Sequence, residues 1–238
     1  MSIFHFKKFS VQQKNSPAKI TTDATLFAAS LQIPPDVKNV LEIGTGTGVL
    51  SLMIAQRFSD IKIDAVEINP IAHDEAQNNF NDSKWSDRLK VVLKDFNEFE
   101  SERKYDLIFS NPPFFKNNLQ SQSNKGKNTA YHTNLLSFEA LAKGVNLHLA
   151  EKGEVHIMLP YYEMSLFEKE MQAVGFQCKR RIELRHQAES KIIRLFNVYN
   201  RGEEERVNIE KEVIIVRDKN NNFHPSYIKL MKDFLTIF

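Results

Sequence analysis

Five short apolar runs recur along the first two thirds of the chain, near residues 39–43, 61–66, 89–93, 105–110 and 154–159. They read as strands buried on both faces and therefore paired in parallel. Helical patterns fill the gaps: 49–58, 70–80, 134–149 and 161–173. Asn69-Pro70 opens the second of these, since proline at the first helical position gives up an N–H that has no partner there anyway. Strand and helix in alternation predict an α/β fold: a doubly wound, mostly parallel sheet whose ligands sit outside the carboxyl ends of the strands.

The pattern changes after Gly175. Phe176–Leu184 and Lys191–Tyr199 read as two β stretches with polar alternation and a charged turn between them, fitting an antiparallel hairpin that completes the sheet. Residues 201–211 are a charged connection, Glu212–Arg217 a short strand, Asn220-Asn221-Asn222 a turn, and Pro225–Phe238 a closing helix. At the other end, Phe6 to Val11 reads as an edge hairpin, and Thr22 or Asp23 as the N-cap of a helix from Ala24 to Leu31. No internal repeat is visible. The expected division is an N-terminal extension over 1–32, a main domain over 33–200, and a strand and helix over 201–238 packed on that same domain.

The strand ends carry the chemistry. Val40 to Ile43 runs into Gly44-Thr45-Gly46-Thr47-Gly48, where glycines let the backbone turn tightly and approach a ligand closely. The spacing is G-x-G-x-G; a dinucleotide fingerprint would need glycine where Val49 stands. Glu67 follows the next run, placed to accept from two neighbouring ribose hydroxyls. Asp95 follows the third, suited to an adenine amine, with Phe96 beside it. The fourth ends in Asn111-Pro112-Pro113-Phe114. The Asn111 side-chain carbonyl and the Pro112 main-chain carbonyl can both accept hydrogens from one planar –NH₂ group, while the ring of Phe114 stacks on the system that bears it. A strand followed by a proline-rich turn is the plain alternative for the tetrapeptide alone. Four features in order, each at a strand end, favour the chemical reading.

Composition narrows the class. At 238 residues, with 42% hydrophobic and 26% charged, the chain can bury a sizeable single core. No apolar run approaches the roughly 18 residues of a membrane span, and Met1 to Lys8 lacks a signal-peptide layout, so a cytoplasmic location and no membrane partner are expected. The single cysteine, Cys178, excludes an internal disulfide and reads as an apolar filler. Seven histidines show no paired spacing, so no metal is expected, and nothing signals an obligate protein partner. Net charge is only +2. Local clusters can still track phosphates: Lys179-Arg180-Arg181 with Arg185 and His186, and Lys7, Lys8, Lys14 and Lys19 near the N-terminus. The polar segment 116–131, directly behind the Asn-Pro-Pro motif, reads as a solvated connection or as a substrate-gripping loop; its position favours the second.

Residues 40–114 resemble the class I S-adenosylmethionine-dependent methyltransferases, with their Rossmann-like seven-stranded sheet, and specifically the N-methylating branch. Phe6-Lys7-Lys8-Phe9-Ser10-Val11 and Lys19-Ile20-Thr21-Thr22-Asp23 with Leu26 are similar to the opening of the bacterial tRNA1(Val) adenine-N6 methyltransferases, extending the resemblance over nearly the whole chain. It implies S-adenosyl-L-methionine as cofactor, held by Lys19, Thr22, Asp23, Glu42, Gly44, Thr45, Gly46, Gly48, Glu67, Ile68, Asp95, Phe96 and Asn111. It implies Asn111, Pro112 and Phe114 as the catalytic group and the anticodon loop of a tRNA as partner, methylated at N6 of adenine 37. Phe114, Phe115, Lys125, Lys127, Lys179, Arg180 and Arg181 are the expected substrate contacts. Phe114 replaces the family's usual tyrosine and keeps the ring. Thr129-Ala130-Tyr131-His132 stands where relatives often carry an arginine, which weakens a phosphate-binding role there.

Other classes fit less well. Release-factor glutamine methyltransferases use the same catalytic motif behind a helical substrate domain, and only 39 residues precede Val40. DNA adenine methyltransferases usually carry a substantial recognition insertion. A nicotinamide-dependent oxidoreductase needs the other glycine spacing, and a binding-only module needs neither Asp95 nor Asn111 at a strand end.

Overall fold

The computed structural model describes residues 3–17, 19–112, 136–202 and 208–238. Its centre is an eight-stranded sheet. β3 (Asn39–Ile43), β4 (Lys62–Glu67), β5 (Leu89–Leu93), β6 (Tyr105–Ser110) and β7 (Leu149–Leu159) are parallel to one another. β9 (Ile192–Arg201) lies antiparallel between β7 and β8 (Phe176–Arg185). Across the sheet the order is β10-β8-β9-β7-β6-β3-β4-β5. The expected seven strands are joined by an eighth: β10 (Glu210–Ile215) runs parallel to β8 and extends the sheet at its edge. A separate two-stranded hairpin, β1 (Ile3–His5) with β2 (Ser10–Gln12), precedes them.

Alternate residues of the central strands serve two cores. Val40, Leu107 and Phe109 face α1 (Thr22–Ser30), α2 (Val49–Arg57) and α3 (Pro70–Asn81), together with the short C-terminal α6 (Pro225–Met231). Leu41, Ile43, Ile108 and Ile157 face α4 (Phe138–His148) and α5 (Tyr161–Ala173). Helices on both faces are the reason the strands read as buried on both sides.

Several boundaries differ from expectation. The cap of α1 is Thr21, whose hydroxyl accepts from the Ala24 N–H, so the helix starts at Thr22 and ends at Ser30. The fifth parallel strand starts at Leu149, directly after α4: Leu149 pairs with Tyr105, and the register shifts before Glu154 pairs with Leu107, where the charged Glu151 and Lys152 hide the strand's start. Helix α6 stops at Met231, and the remaining seven residues turn so that Phe234 joins the core. Residues 134 and 135 lie outside the described residues, as do Pro113, Phe114, Phe115 and the whole 116–131 segment with Lys125 and Lys127.

Candidate active site

A cavity of about 340 Å³ opens at the carboxyl ends of β3, β4, β5 and β6. Gly44, Gly46, Glu67, Ile68, Asp95, Phe96, Asn111 and Pro112 all line it. Its size suits a small-molecule cofactor.

The glycine loop is shaped by backbone geometry. Gly44 and Gly46 have φ of 73° and 58°, left-handed values that residues with a Cβ adopt only with strain. Gly44 and Thr45 donate their N–H groups to Val66 O at 2.8 and 3.2 Å, which fastens the loop to the end of β4. Glu67 completes the attachment. Its Oε2 accepts from Gly46 N at 2.8 Å and its Oε1 from Asn69 N at 2.9 Å. Each carboxylate oxygen keeps a second lone pair for a ligand hydroxyl. Asp95 Oδ1 accepts from Asn97 N at 2.9 Å and caps a short 3-10 turn, Phe96–Glu98. The Phe96 ring is buried in an aromatic group with Phe99 and His148.

Asn111 closes the opposite wall. It follows Ser110, whose hydroxyl donates to Ile43 O at 2.7 Å and ties β6 to β3 where the two strands end. The Asn111 side-chain carbonyl is buried and has no hydrogen-bond partner among the described residues. A buried carbonyl left unpaired costs about 1–3 kcal/mol, so an acceptor held this way is poised for an incoming donor.

Other expected cofactor residues lie elsewhere. Glu42 sits behind the loop at 1% exposure, its Oε2 accepting from Thr45 Oγ1 at 2.7 Å and from the Ser51 hydroxyl. Burial pushes its carboxyl up to about 7, against the pull of those two hydroxyls. Thr45 is buried with it as a partner of Glu42 and does not line the cavity. Gly48 (φ 80°) serves packing: a Cβ there would stand 2.5 Å from Phe80 Cε1 of α3. Lys19 donates to the main-chain oxygens of Gln13 and Lys14, fixing its own segment. Thr22 and Asp23 line a different cavity with Leu184, Ile193 and Tyr227, where Asp23 pairs with Arg194 at 2.9 Å.

The basic run on β8 is matched internally. Lys179 pairs with Glu154 at 3.1 Å, Arg180 with Glu212 at 2.7 Å, and Arg181 with Glu168 at 2.8 Å. The partners of this run lie on β7, β10 and α5, so its charges are matched within the fold.

Some lining residues carried no sequence signal. Ser16 and Pro17 come over the cavity from the N-terminal segment. They are held by α3, where the Glu75 carboxylate accepts from Asn15 N at 2.6 Å and Ser16 N at 2.9 Å. One turn on, Asn79 bridges Gln12 and the glycine loop, donating to Gln12 O at 3.0 Å and Thr47 O at 2.8 Å. Lys94, Ala72 and Leu136 also line the cavity.

Comparison with known proteins agrees with this arrangement. The methyltransferase small domain family model matches residues 15–159. A tRNA1(Val) (adenine(37)-N6)-methyltransferase of Dyadobacter fermentans is 36% identical over 236 residues, covering 99% of this chain and 98% of its own. One from Aliivibrio fischeri is 40% identical over 166 residues, 70% of each chain. Among solved structures, a predicted O-methyltransferase from Agrobacterium tumefaciens superimposes with a TM-score of 0.65 over 88% of this chain and 95% of its own, at 14% identity, a likeness of fold. The cavity, its unpaired asparagine carbonyl and these relatives converge: the chain is an S-adenosylmethionine-dependent methyltransferase and belongs to the tRNA1(Val) (adenine(37)-N6)-methyltransferase family.

Proposed function

We propose that this enzyme methylates the exocyclic N6 amine of adenine 37 in the anticodon loop of tRNA1(Val), the substrate named for its relatives. One observation supports it above the others: the buried, unpaired Asn111 carbonyl at the edge of the cofactor-sized cavity. Gly44 and Gly46 would carry the amino-acid end of the cofactor, Glu67 its ribose, and Asp95 with Phe96 its adenine. S-adenosylmethionine, when bound, supplies the methyl group on an electrophilic sulfonium.

The protein's contribution is mainly positional. The lone pair of an adenine amine is delocalised into the ring, so the nitrogen is a weak nucleophile at rest. Accepting one amine hydrogen at Asn111 Oδ1 and the other at the Pro112 carbonyl favours a tetrahedral nitrogen with its lone pair directed into the cavity. The same two carbonyl dipoles stabilise positive charge as it forms on that nitrogen. Alignment of this kind is worth roughly 7–11 kcal/mol, more than one weak base adds. The motif offers no general base, and the proton leaves to water. A loop base is cheaper to splay out than a paired one, and stacking on Phe114 returns about 1–3 kcal/mol. Acting on tRNA places the enzyme in the cytoplasm.

The test is transfer of labelled methyl to unmodified tRNA, duplex DNA and a purified release factor, with nucleoside analysis of the product. N6-methyladenosine beside the anticodon of a valine isoacceptor is expected. Label confined to the protein would transfer the motif to glutamine chemistry and overturn the tRNA reading. Asn111→Ala should abolish transfer while cofactor affinity stays within a few-fold; turnover at the wild-type rate would remove Asn111 from the mechanism.

A further inference from the structure

Among the described residues, Tyr161 and Tyr162 are the only Phe, Tyr or Trp side chains that are exposed, at 61% and 57%. Every other described aromatic is buried or partly buried, and neither tyrosine enters a ring–ring contact among the described residues. Their position is specific. Ser110, the last residue of β6, pairs with Ile157 of β7, two residues before that strand ends at Leu159. Pro160 then caps α5, and the two tyrosines are its first residues. They follow the strand next to the one that carries Asn111 and Pro112 at its end.

We propose that Tyr161 and Tyr162 are substrate-positioning residues that stack on the nucleotides flanking the target adenine. The proposal rests on the tRNA reading above. Extruding a base from a loop strips its neighbours of a stacking partner, and single-stranded RNA is held by aromatic faces offered to such bases. Successive helical residues point about 100° apart, so the two rings offer separate faces instead of one. Most of the described charge here is already matched. Arg194 on the adjoining strand is engaged by Asp23, while Lys191 on the β8–β9 turn is exposed. With Lys179, Arg180 and Arg181 also paired, the two ring faces are the main recognition surface that the described residues offer at this edge.

The experiment is steady-state methylation of tRNA by the full-length enzyme and by Tyr161→Ala/Tyr162→Ala, Tyr161→Phe/Tyr162→Phe and Leu147→Ala. Leu147 is an exposed apolar residue at the far end of α4 and serves as a surface control. The double alanine variant should raise KM for tRNA at least about fivefold, the lower bound for one lost stack. Its S-adenosylmethionine affinity by calorimetry and the salt dependence of its tRNA binding should match wild type. The phenylalanine pair, which keeps both rings, should restore KM, and Leu147→Ala should leave it unchanged. A double alanine variant with wild-type KM, or a phenylalanine pair as impaired as the alanines, overturns the stacking role while leaving the tRNA reading intact. A wild-type enzyme that does not label tRNA removes both.

Discussion

Glu67 and Gly46 are joined in the wall of the cofactor-sized cavity: the Glu67 carboxylate, at the end of β4, accepts the Gly46 N–H at 2.8 Å. The acid thus shapes the glycine loop before any ligand arrives, while keeping lone pairs for hydroxyls. Glu67→Ala should lose both effects and weaken S-adenosylmethionine at least about tenfold, a cost of roughly 1.4 kcal/mol. Glu67→Gln keeps one carbonyl acceptor and should lose less. Calorimetric titration of the two variants checks the order, and tRNA binding should change little in either.

Gly144 of α4 tests the adenine side. A Cβ at this position would stand 2.4 Å from Phe96 Cε1, and Phe96 is wedged against Phe99 and His148. Gly→Ala inside a helix ordinarily gains up to about 1 kcal/mol. Here overpacking, at about 1–3 kcal/mol, should win. Gly144→Ala should lower thermal stability and weaken the cofactor together, because the displaced ring is part of the cavity wall.

The residues that were legible in the sequence are those whose role is local. Val40, Leu41, Ile108 and Phe109 are all fully buried, two facing each core, so consecutive apolar residues mark their strands. Gly44, Glu67, Asp95 and Asn111 follow strand ends, and the topology brings strand ends together. What stayed hidden depends on distant partners. Lys179-Arg180-Arg181 looked like a cationic patch because Glu168 and Glu212 lie 13 and 32 residues from the arginines they neutralise. Gly48 looked like a close approach to ligand, but its neighbour is Phe80, on a helix opening more than twenty residues later. Glu75 and Asn79 bind segments about 60 residues upstream, and no spacing rule connects them.

Glu42 predicts a pH dependence. Burial raises its carboxyl from 4.5 to about 7, so between those values the folded state holds a proton that the unfolded chain has released. The stabilisation is complete below pH 4.5, falls as pH rises toward 7 and is lost above it. For a shift of this size the loss is roughly 3 kcal/mol. Glu42→Gln cannot titrate and should abolish this component. Denaturant unfolding of both proteins at pH 4.5 and 7.5 should show the variant losing less stability across the interval; equal losses would remove Glu42 as the source.

Arg181 separates a structural role from an RNA-binding one. Its guanidinium meets both oxygens of Glu168, at 3.0 and 2.8 Å, and also donates to Asn197 Oδ1 at 3.1 Å. Arg181→Ala would leave Glu168 and the buried Asn197 without this donor. Removing one partner of a fully buried pair costs about 3–5 kcal/mol. Both side chains here are about one-fifth exposed, which reduces the expected loss to about 1–3 kcal/mol. A phosphate contact would behave differently: its removal weakens tRNA uniformly and lowers the salt slope of binding by about one. The expected result for Arg181→Ala is therefore a lower unfolding midpoint with KM for tRNA and the salt slope unchanged. A reduced salt slope at wild-type stability would return Arg181 to the RNA surface.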